Sequence, residues 1–229
     1  MTRADPLALV RLLQLASPAL PIGAYSYSQG LEWVVETGVV NDAATAKTWI
    51  GDVLNHVIAT GEAAVAWRLL VAAADEDWPS LAQWNGWFRA SRETAEMRAE
   101  TEQTGGSLLK LAGDLDLIDA TAASALPLLV PITLPAAYAI AARAFAVPSD
   151  EALIAYLWSW LENQVLAAVK TVPLGQVAGQ RLLLALGARI PAVSAVARAV
   201  ADDDVASFAP GLALASARHE TQYTRLFRS

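Results

Sequence analysis

The residues with the types and spacing to do chemistry form two acidic runs. Three aspartates stand together at residues 202–204, and Asp75-Glu76-Asp77 lies far upstream. Carboxylate oxygens are the ligands that magnesium prefers, and two facing aspartate-rich clusters are typical of helical isoprenoid enzymes. A magnesium-dependent enzyme of the isoprenoid-synthase type that uses Asp202–Asp204 is therefore one hypothesis. The alternative is that both runs end helices in solvated turns, and the sequence favours this second interpretation.

Other reactive groups are scarce. The chain has no cysteine, which excludes disulfides, thiol catalysis and zinc–thiolate sites. Its two histidines, His56 and His219, show no paired metal-binding spacing. We find no phosphate-binding glycine loop and no nucleophile elbow. The sequence therefore predicts a protein that is not an enzyme, with no catalytic centre, cofactor or bound metal.

The composition predicts apolar surface beyond the needs of an ordinary core. Of 229 residues, 55% are hydrophobic and 17% charged, where about 25% charged is usual. Either the core is large or partners cover part of the surface. The net charge of −7 and the sequence pI near 4.8 argue against nucleic acids and anionic membranes as partners.

The first residues do not resemble a signal peptide. Arg3, Asp5 and Arg11 place charges where such a peptide has its apolar run. The simplest expectation is a cytoplasmic protein.

One uncharged run, residues 120–142, is long enough to span a membrane. Pro127, Pro131 and Pro135 would interrupt a spanning helix repeatedly. We therefore predict a buried irregular connection followed by a core helix, rather than a transmembrane segment.

Helical periodicity and capping residues account for most of the chain. Asp5-Pro6 begins a helix within residues 1–16, and Asp42 caps a long apolar segment. Gly105-Gly106 marks a bend or a close helix contact in a charged helix. No alternating strand pattern is present. The sequence predicts an all-α fold, a single-domain bundle of roughly ten helices spanning residues 1–229.

The stretch from Ser17 to Trp33, SPALPIGAYSYSQGLEW, is stiff and aromatic. Pro18 and Pro21 forbid a helix between them. It is either a tight, buried helix connection or a fixed surface that presents Tyr25, Tyr27 and Gln29 to a partner. The residues alone leave both interpretations open.

Two later segments carry polar groups inside apolar helices. Glu162-Asn163-Gln164 interrupts a long apolar helix, and buried amides need hydrogen-bond partners. These side chains either cap another element or face an interface. The repeat Gly175-Gln176 and Gly179-Gln180 places small residues on one helix face, which favours close packing within the chain or a symmetric subunit contact.

Three segments resemble motifs of the UreF-type urease accessory proteins and occur in the same order as in that family. They are the loop at 17–33, the segment Asn163-Gln164 with Lys170-x-Val172-Pro173-Leu174-x-Gln176, and the tail at 218–229. The resemblance implies an all-helical, non-enzymatic chaperone that forms homodimers. It implies binding of UreD (also called UreH), recruitment of the GTP-binding protein UreG, and delivery of nickel to apo-urease.

The resemblance also implies roles for particular residues. It places a UreG-facing aromatic at Tyr25 and an arginine that supports UreG recruitment at Arg225. The expected partner-binding residues are Tyr25, Tyr27, Gln29, Glu32, Tyr223, Arg225, Leu226, Phe227 and Arg228. The expected dimer or helix-packing face comprises Lys170, Gln176, Gly179 and Gln180.

The C-terminal tail, residues 218–229, suits a binding element. It carries three arginines together with Tyr223 and Phe227. A terminal segment of this kind folds on a partner by burying its aromatics and fixing its arginines. The resemblance implies that this tail becomes ordered when UreD binds.

Overall fold

A computed structural model describes residues 5–229, and within them the chain is helical and contains no strand. The first four residues of the helix predicted at 1–16 lie outside the described residues. The α-helices are α1 (Pro6–Leu15), α2 (Leu31–Glu36), α3 (Ala43–Val53), α4 (Ala63–Ala74), α5 (Trp78–Ala90), α6 (Ala95–Asp114), α7 (Ala120–Ala125), α8 (Leu134–Ala144), α9 (Ser149–Thr171), α10 (Gln176–Gly187), α11 (Ile190–Ala199) and α12 (Pro210–His219). The all-α prediction is confirmed.

Several helices begin where a side chain satisfies their free N–H groups. The Asp5 carboxylate accepts a hydrogen bond from the Leu7 N–H, and Asp42 forms a capping box with Thr45. Thr94 caps α6 in the same way. Polar residues at these positions therefore fix the register in which the apolar faces meet the core.

The helix that Asp42 caps does not stop at Gly61. Residues Ala43–Ala74 form one continuous helix, because a π-helical segment, Leu54–Glu62, joins α3 to α4. Gly61 allows the chain at residue 206 to approach, since a Cβ here would lie 2.9 Å from the Cβ of Ser207. The same segment turns Glu62 into the interior, where it is buried.

The core is built around α4, α8 and α9. Eight consecutive residues of α8, from Pro135 to Ala142, are buried, and most are alanine. Small side chains let neighbouring helix axes approach closely. The uncharged run at 120–142 divides into α7, a 3₁₀ turn at Leu126–Leu129 and α8. The prediction of an irregular connection followed by a core helix is confirmed, but the connection is not buried as predicted, since Leu128 and Val130 are 61% and 80% exposed.

Two segments of the described chain have the length and apolar composition to cross a membrane, Ala43–Ala74 and Gln176–Ala199. This indicates little by itself, because core helices of globular proteins have the same properties. In the most apolar window of the first, 67% of residues are buried within the chain, whereas in the second only 39% are. The α10–α11 segment therefore leaves apolar surface uncovered.

The two adjacent glycines of α6 have different surroundings. A Cβ on Gly105 would lie 2.5 Å from the carbonyl carbon of Thr133 and 2.7 Å from the Leu134 nitrogen, whereas one on Gly106 would meet nothing within 4 Å. The first glycine therefore permits the close contact between α6 and the start of α8. The sequence prediction of a close helix contact is confirmed for Gly105.

Gly105→Ala is expected to lower the free energy of unfolding by about 1–3 kcal/mol, because the backbone of residues 133–134 must move away. Gly106→Ala is expected to raise it by about 1 kcal/mol, since alanine is the better helix former and has room. Urea unfolding followed by circular dichroism measures both. Equal effects from the two substitutions would contradict the assigned contact.

Candidate functional site: the junction of loop motif and tail

Residues 17–32, called here the loop motif, are held in place by the middle of α9. The Asn163 side-chain amide donates to the Tyr27 carbonyl at 2.9 Å, and that of Gln164 donates to the Ser28 carbonyl at 3.3 Å. One turn earlier, the Trp160 indole donates to the Gln29 side chain at 2.8 Å. The polar residues of this apolar helix therefore cap the loop motif, which was one of the two expectations for them.

Side chains of the loop motif complete the attachment. The Tyr25 hydroxyl donates to Glu162 at 2.9 Å, and the Tyr27 hydroxyl donates to Gln103 at 2.8 Å. Burial, together with the hydrogen bond to the Glu162 carboxylate, raises the pKa of Tyr25 well above its usual value. Tyr25 is therefore a neutral hydrogen-bond donor at any physiological pH.

Two glycines of the loop motif adopt left-handed backbone conformations, with φ of +78° at Gly23 and +80° at Gly30. Their surroundings differ. A Cβ on Gly30 would lie 2.9 Å from the Ser216 nitrogen, whereas one on Gly23 would meet nothing within 4 Å. Gly30 therefore lets the backbone of α12 lie directly against the loop motif, and the tail follows from that helix.

The tail, residues 218–229, packs along the loop motif. The Arg228 N–H donates to the Ser26 carbonyl at 2.8 Å, and the Ser28 N–H donates to the Ser229 carbonyl at 2.6 Å. Phe227, which directly precedes Arg228 and Ser229, is only 5% exposed. The Nζ of Lys170 lies 5.5 Å from the centre of its ring. The end of the tail therefore belongs to the folded core.

Two glutamates join the tail to the helices beside it. The Glu32 carboxylate accepts the N–H groups of Leu226, at 2.6 Å, and Phe227, at 2.9 Å. The Glu96 carboxylate accepts from the Arg225 guanidinium at 2.7 Å. His219 lies between the two carboxylates, 3.2 Å from Glu32 and 2.8 Å from Glu96. We call Glu32, Glu96 and His219 the carboxylate clasp.

The predicted partner-binding residues come together at this junction, but they face different ways. Tyr27, Glu32 and Phe227 are buried. Glu32 and Phe227 bind the tail to the rest of the chain, whereas Tyr27 binds the loop motif to α6 and α9. Tyr25 and Gln29 are half-buried. The side chains that reach solvent are those of Tyr223, Arg225, Leu226 and Arg228. Direct contact of the buried three with a partner would require this packing to open, and ordering of the tail by UreD stays a prediction.

The residues predicted to form a dimer or helix-packing face lie in two separate places. Lys170 lies with the tail, beside a groove formed by Tyr25, Leu226 and Arg228. Gly179 packs within the chain, because a Cβ there would lie 2.8 Å from Val169 of α9. Gln176 and Gln180 are exposed on α10. Close packing within the chain therefore explains the glycine, and the glutamines remain free to meet another surface.

Comparisons with known proteins identify the family of the chain. The sequence profile described as UreF matches residues 40–187. The urease accessory protein UreF of Azoarcus sp. (strain BH72) is 57% identical over 226 residues, covering 97% of this chain and 96% of that protein. UreF of Janthinobacterium sp. (strain Marseille) is 52% identical over 222 residues, covering 97% and 98%.

The chain belongs to the UreF family of urease accessory proteins. The resemblance identified from the loop motif, the central segment and the tail is thereby confirmed. A further relative, the bifunctional urease accessory protein UreEF of Bordetella bronchiseptica, is 53% identical over 226 residues, covering 96% of this chain and 52% of that protein.

A cavity of about 100 Å³ lies behind the loop motif of this UreF-family chain. Glu62 accepts from the Tyr156 hydroxyl at 2.6 Å and from Arg92 at 3.2 Å, and all three residues line the cavity. Glu100 lines it as well and accepts from Gln29 at 2.9 Å and from the Ser229 hydroxyl at 3.2 Å. Glu100 therefore connects α6 to both the loop motif and the tail.

Sequence reasoning missed most of these acidic residues. Glu96 and Glu100 lie on α6, whose charged residues are typical of a solvated helix face. The signal that could have found them is the spacing of four, which places two carboxylates on one face of the helix, together with Thr94 as its N-cap. The hydrogen-bond partners of Glu96 and Glu100 lie more than 70 residues away in the sequence. No local sequence pattern can therefore predict these partners.

The aspartate hypothesis does not agree with the geometry. Asp202 is paired with Arg68, whose Nε donates to it at 2.7 Å, and Glu76 of the upstream run is paired with Arg143. The described residues, 5–229, contain no group of three or more histidine or acidic side chains arranged to hold a metal ion. Asp202–Asp204 form a 3₁₀ turn at the surface.

Gly30→Ala is expected to lower the free energy of unfolding by at least about 2–3 kcal/mol, because it combines left-handed strain with a clash against α12. Gly23→Ala is the matched control: it has the same strain but no clash, and about 1–2 kcal/mol is expected. Denaturant unfolding measures both. If the two variants are equally stable, α12 does not pack on Gly30.

Glu100 predicts a pH dependence of stability. Burial and the nearby Glu62 raise its pKa from 4.5 to about 7, against the opposing hydrogen bonds from Gln29 and Ser229. The folded state therefore favours the neutral carboxyl. The contribution of the neutral carboxyl to the free energy of unfolding is fully present below pH 4.5 and is lost as the pH rises through about 7. The lost free energy is on the order of 3 kcal/mol.

Glu100→Gln removes this loss, because a neutral amide replaces the carboxyl. The variant is expected to be more stable than the parent protein at pH 8 and similar at pH 5, as measured by urea unfolding at both values. Glu93 is exposed and directly precedes the N-cap of the same helix. Glu93→Gln is therefore expected to leave the free energy of unfolding unchanged at both pH values. If the free energies of unfolding of the parent protein and the Glu100→Gln variant differ by the same amount at pH 5 and pH 8, the pKa of Glu100 is not raised.

Proposed function

We propose that this chain is a dimeric scaffold of urease maturation, which binds UreD and recruits UreG so that nickel is inserted into apo-urease. One observation carries the proposal: the tail and the loop motif, predicted separately to bind partners, form one continuous surface. The proposed role is non-enzymatic and cytoplasmic. The UreF family is one of urease accessory proteins, which supports the urease pathway as the setting.

The exposed part of this surface has the composition of a binding hot spot. Tyr223 is fully exposed and Leu226 is 65% exposed, and Arg225 and Arg228 lie beside them in the sequence. Aromatic, arginine and large apolar side chains dominate the energetics of protein interfaces. Because Glu32 and Phe227 already fix the backbone beneath them, less conformational entropy is lost when a partner binds.

A fused relative supports an association with other accessory proteins. In the bifunctional UreEF protein of Bordetella bronchiseptica, the region similar to this chain makes up about half of the polypeptide. The name of that protein joins the UreF region to a second urease accessory function. A shared polypeptide keeps two units at high effective concentration, which is useful when they act in one assembly.

The uncovered apolar surface of α10 and α11 supports a homodimer. Val177 and Leu184 on α10 are 66% and 77% exposed, and Val196 on α11 is exposed as well. The exposed glutamines 176 and 180 lie on the same helix. A second copy that covers this surface would remove several apolar side chains from water and leave the glutamines to make hydrogen bonds at the interface.

The combined substitution Tyr223→Ala and Leu226→Ala tests the binding surface. Both side chains are exposed, so thermal stability is expected to stay within about 1 kcal/mol of the parent protein. Removing two hot-spot side chains is expected to weaken UreD binding by at least about tenfold. Co-expression with UreD and UreG, followed by size-exclusion chromatography with light scattering, measures the complex and the oligomeric state of the chain.

Phe208→Ala is the control, because Phe208 is also a strongly exposed aromatic residue, 84% exposed, and lies outside the tail. It is expected to leave the complex unchanged. The proposal is wrong if the tail variant still assembles with UreD at full yield, or if the parent chain neither dimerises nor associates with either partner.

A further inference from the structure

The ring of His219 has an unusual environment for a neutral histidine. It is fully buried, and each of its two nitrogens faces a glutamate: Nδ1 lies 2.8 Å from Glu96 and Nε2 lies 3.2 Å from Glu32. An ionised carboxylate only accepts hydrogen bonds, and a neutral imidazole has one nitrogen without hydrogen. A neutral ring would therefore set two lone pairs against each other at one of these contacts.

Each glutamate is also fixed by other donors from the tail. Glu32 receives the N–H groups of residues 226 and 227. Glu96 receives the Arg225 guanidinium at its other oxygen. N–H groups and a guanidinium require acceptors, which is consistent with ionised carboxylates at both positions. With a protonated ring, the two carboxylates face two positive groups, the buried imidazolium and the solvent-exposed Arg225 guanidinium.

We propose that His219 is a positioning residue for partner binding: it is held as an imidazolium that donates to both glutamates and thereby fixes how the tail presents Arg225 and Leu226. The inference deepens the proposed function and rests on it. Through Glu96 the ring sets the direction of the Arg225 side chain. Through Glu32 it sets the backbone that carries Leu226.

The arrangement explains why a short tail is held by so many charges. Phe227 anchors the tail by burial, but burial of one ring leaves the residues before it free to rotate. The carboxylate clasp ties two backbone N–H groups and one guanidinium to α2 and α6, at positions up to 195 residues away in the sequence. Removing the central cation leaves two buried carboxylates close together, which weakens both attachments.

The protonation of the ring can be observed directly. The chain has two histidines, and His56 is exposed. In protein labelled with ¹⁵N-histidine, at neutral pH, both ring nitrogens of His219 are expected to give resonances of the protonated type, assigned by their absence from a His219→Gln sample. A resonance from a bare nitrogen at His219 would overturn the proposal, since a merely structural ring needs only one N–H.

The consequence for the tail is measured with His219→Gln, whose amide can donate to one glutamate but carries no charge. Hydrogen exchange at the amides of residues 226 and 227 is expected to accelerate at least tenfold, while the amides of α4 and α9 keep their protection. UreD capture is expected to fall at least tenfold. His56→Gln, the same substitution at the exposed histidine, is expected to change neither. Unchanged exchange and capture in His219→Gln would refute the positioning role.

Failure of this inference can be told apart from failure of the proposed function. If Tyr223→Ala with Leu226→Ala abolishes UreD capture and His219→Gln does not, the tail binds the partner without the clasp and the inference is wrong. If the double variant keeps full capture, the proposed function is wrong. If His219→Gln does not fold, the ¹⁵N resonances of the parent protein still decide whether the ring is doubly protonated.

Discussion

The attachment of the tail depends on one buried carboxylate. Glu32 lies at the start of α2 and accepts the N–H groups of Leu226 and Phe227 from the other end of the chain. A backbone N–H that is removed from water must find an acceptor, and a charged acceptor gives the stronger hydrogen bond. Because this carboxylate is itself held beside His219 and Glu96, the start of α2, the tail and α6 form one polar unit.

The loop motif could not hold this position alone. It has no regular helix between its prolines, so its carbonyl groups need partners from elsewhere. The amides of Asn163 and Gln164 supply them from the middle of α9, which explains polar residues in the most buried part of an apolar helix. Because Gly30 has no side chain, α12 can lie directly against the backbone of the loop motif. The packing thus brings elements more than 130 residues apart to a single surface.

The buried and exposed residues have different roles in the function proposed for this UreF-family chain. Buried residues of the loop motif and tail determine shape, and the exposed residues that they orient would supply aromatic, apolar and arginine side chains to a partner. Glu100 shows that stability is not maximised here: its carboxyl is buried beside the cavity and its pKa is raised to about 7. Ionisable groups with strongly shifted pKa values concentrate where function constrains the structure.

The sequence by itself determined the helical class, the family and some helix starts, such as those at Asp5 and Asp42. Asp5, Asp42 and the apolar periodicity are local signals, and caps and periodicity act over a few residues. The tertiary structure alone decided which predicted residues are exposed. Tyr27 and Phe227 are aromatic residues of a type common in binding surfaces, but they are buried. Glu96 and Glu100 lie in a pattern typical of a solvated helix face, but they hold the tail. Only packing joins such groups, because hydrogen-bond partners far apart in the sequence leave no periodic pattern in it.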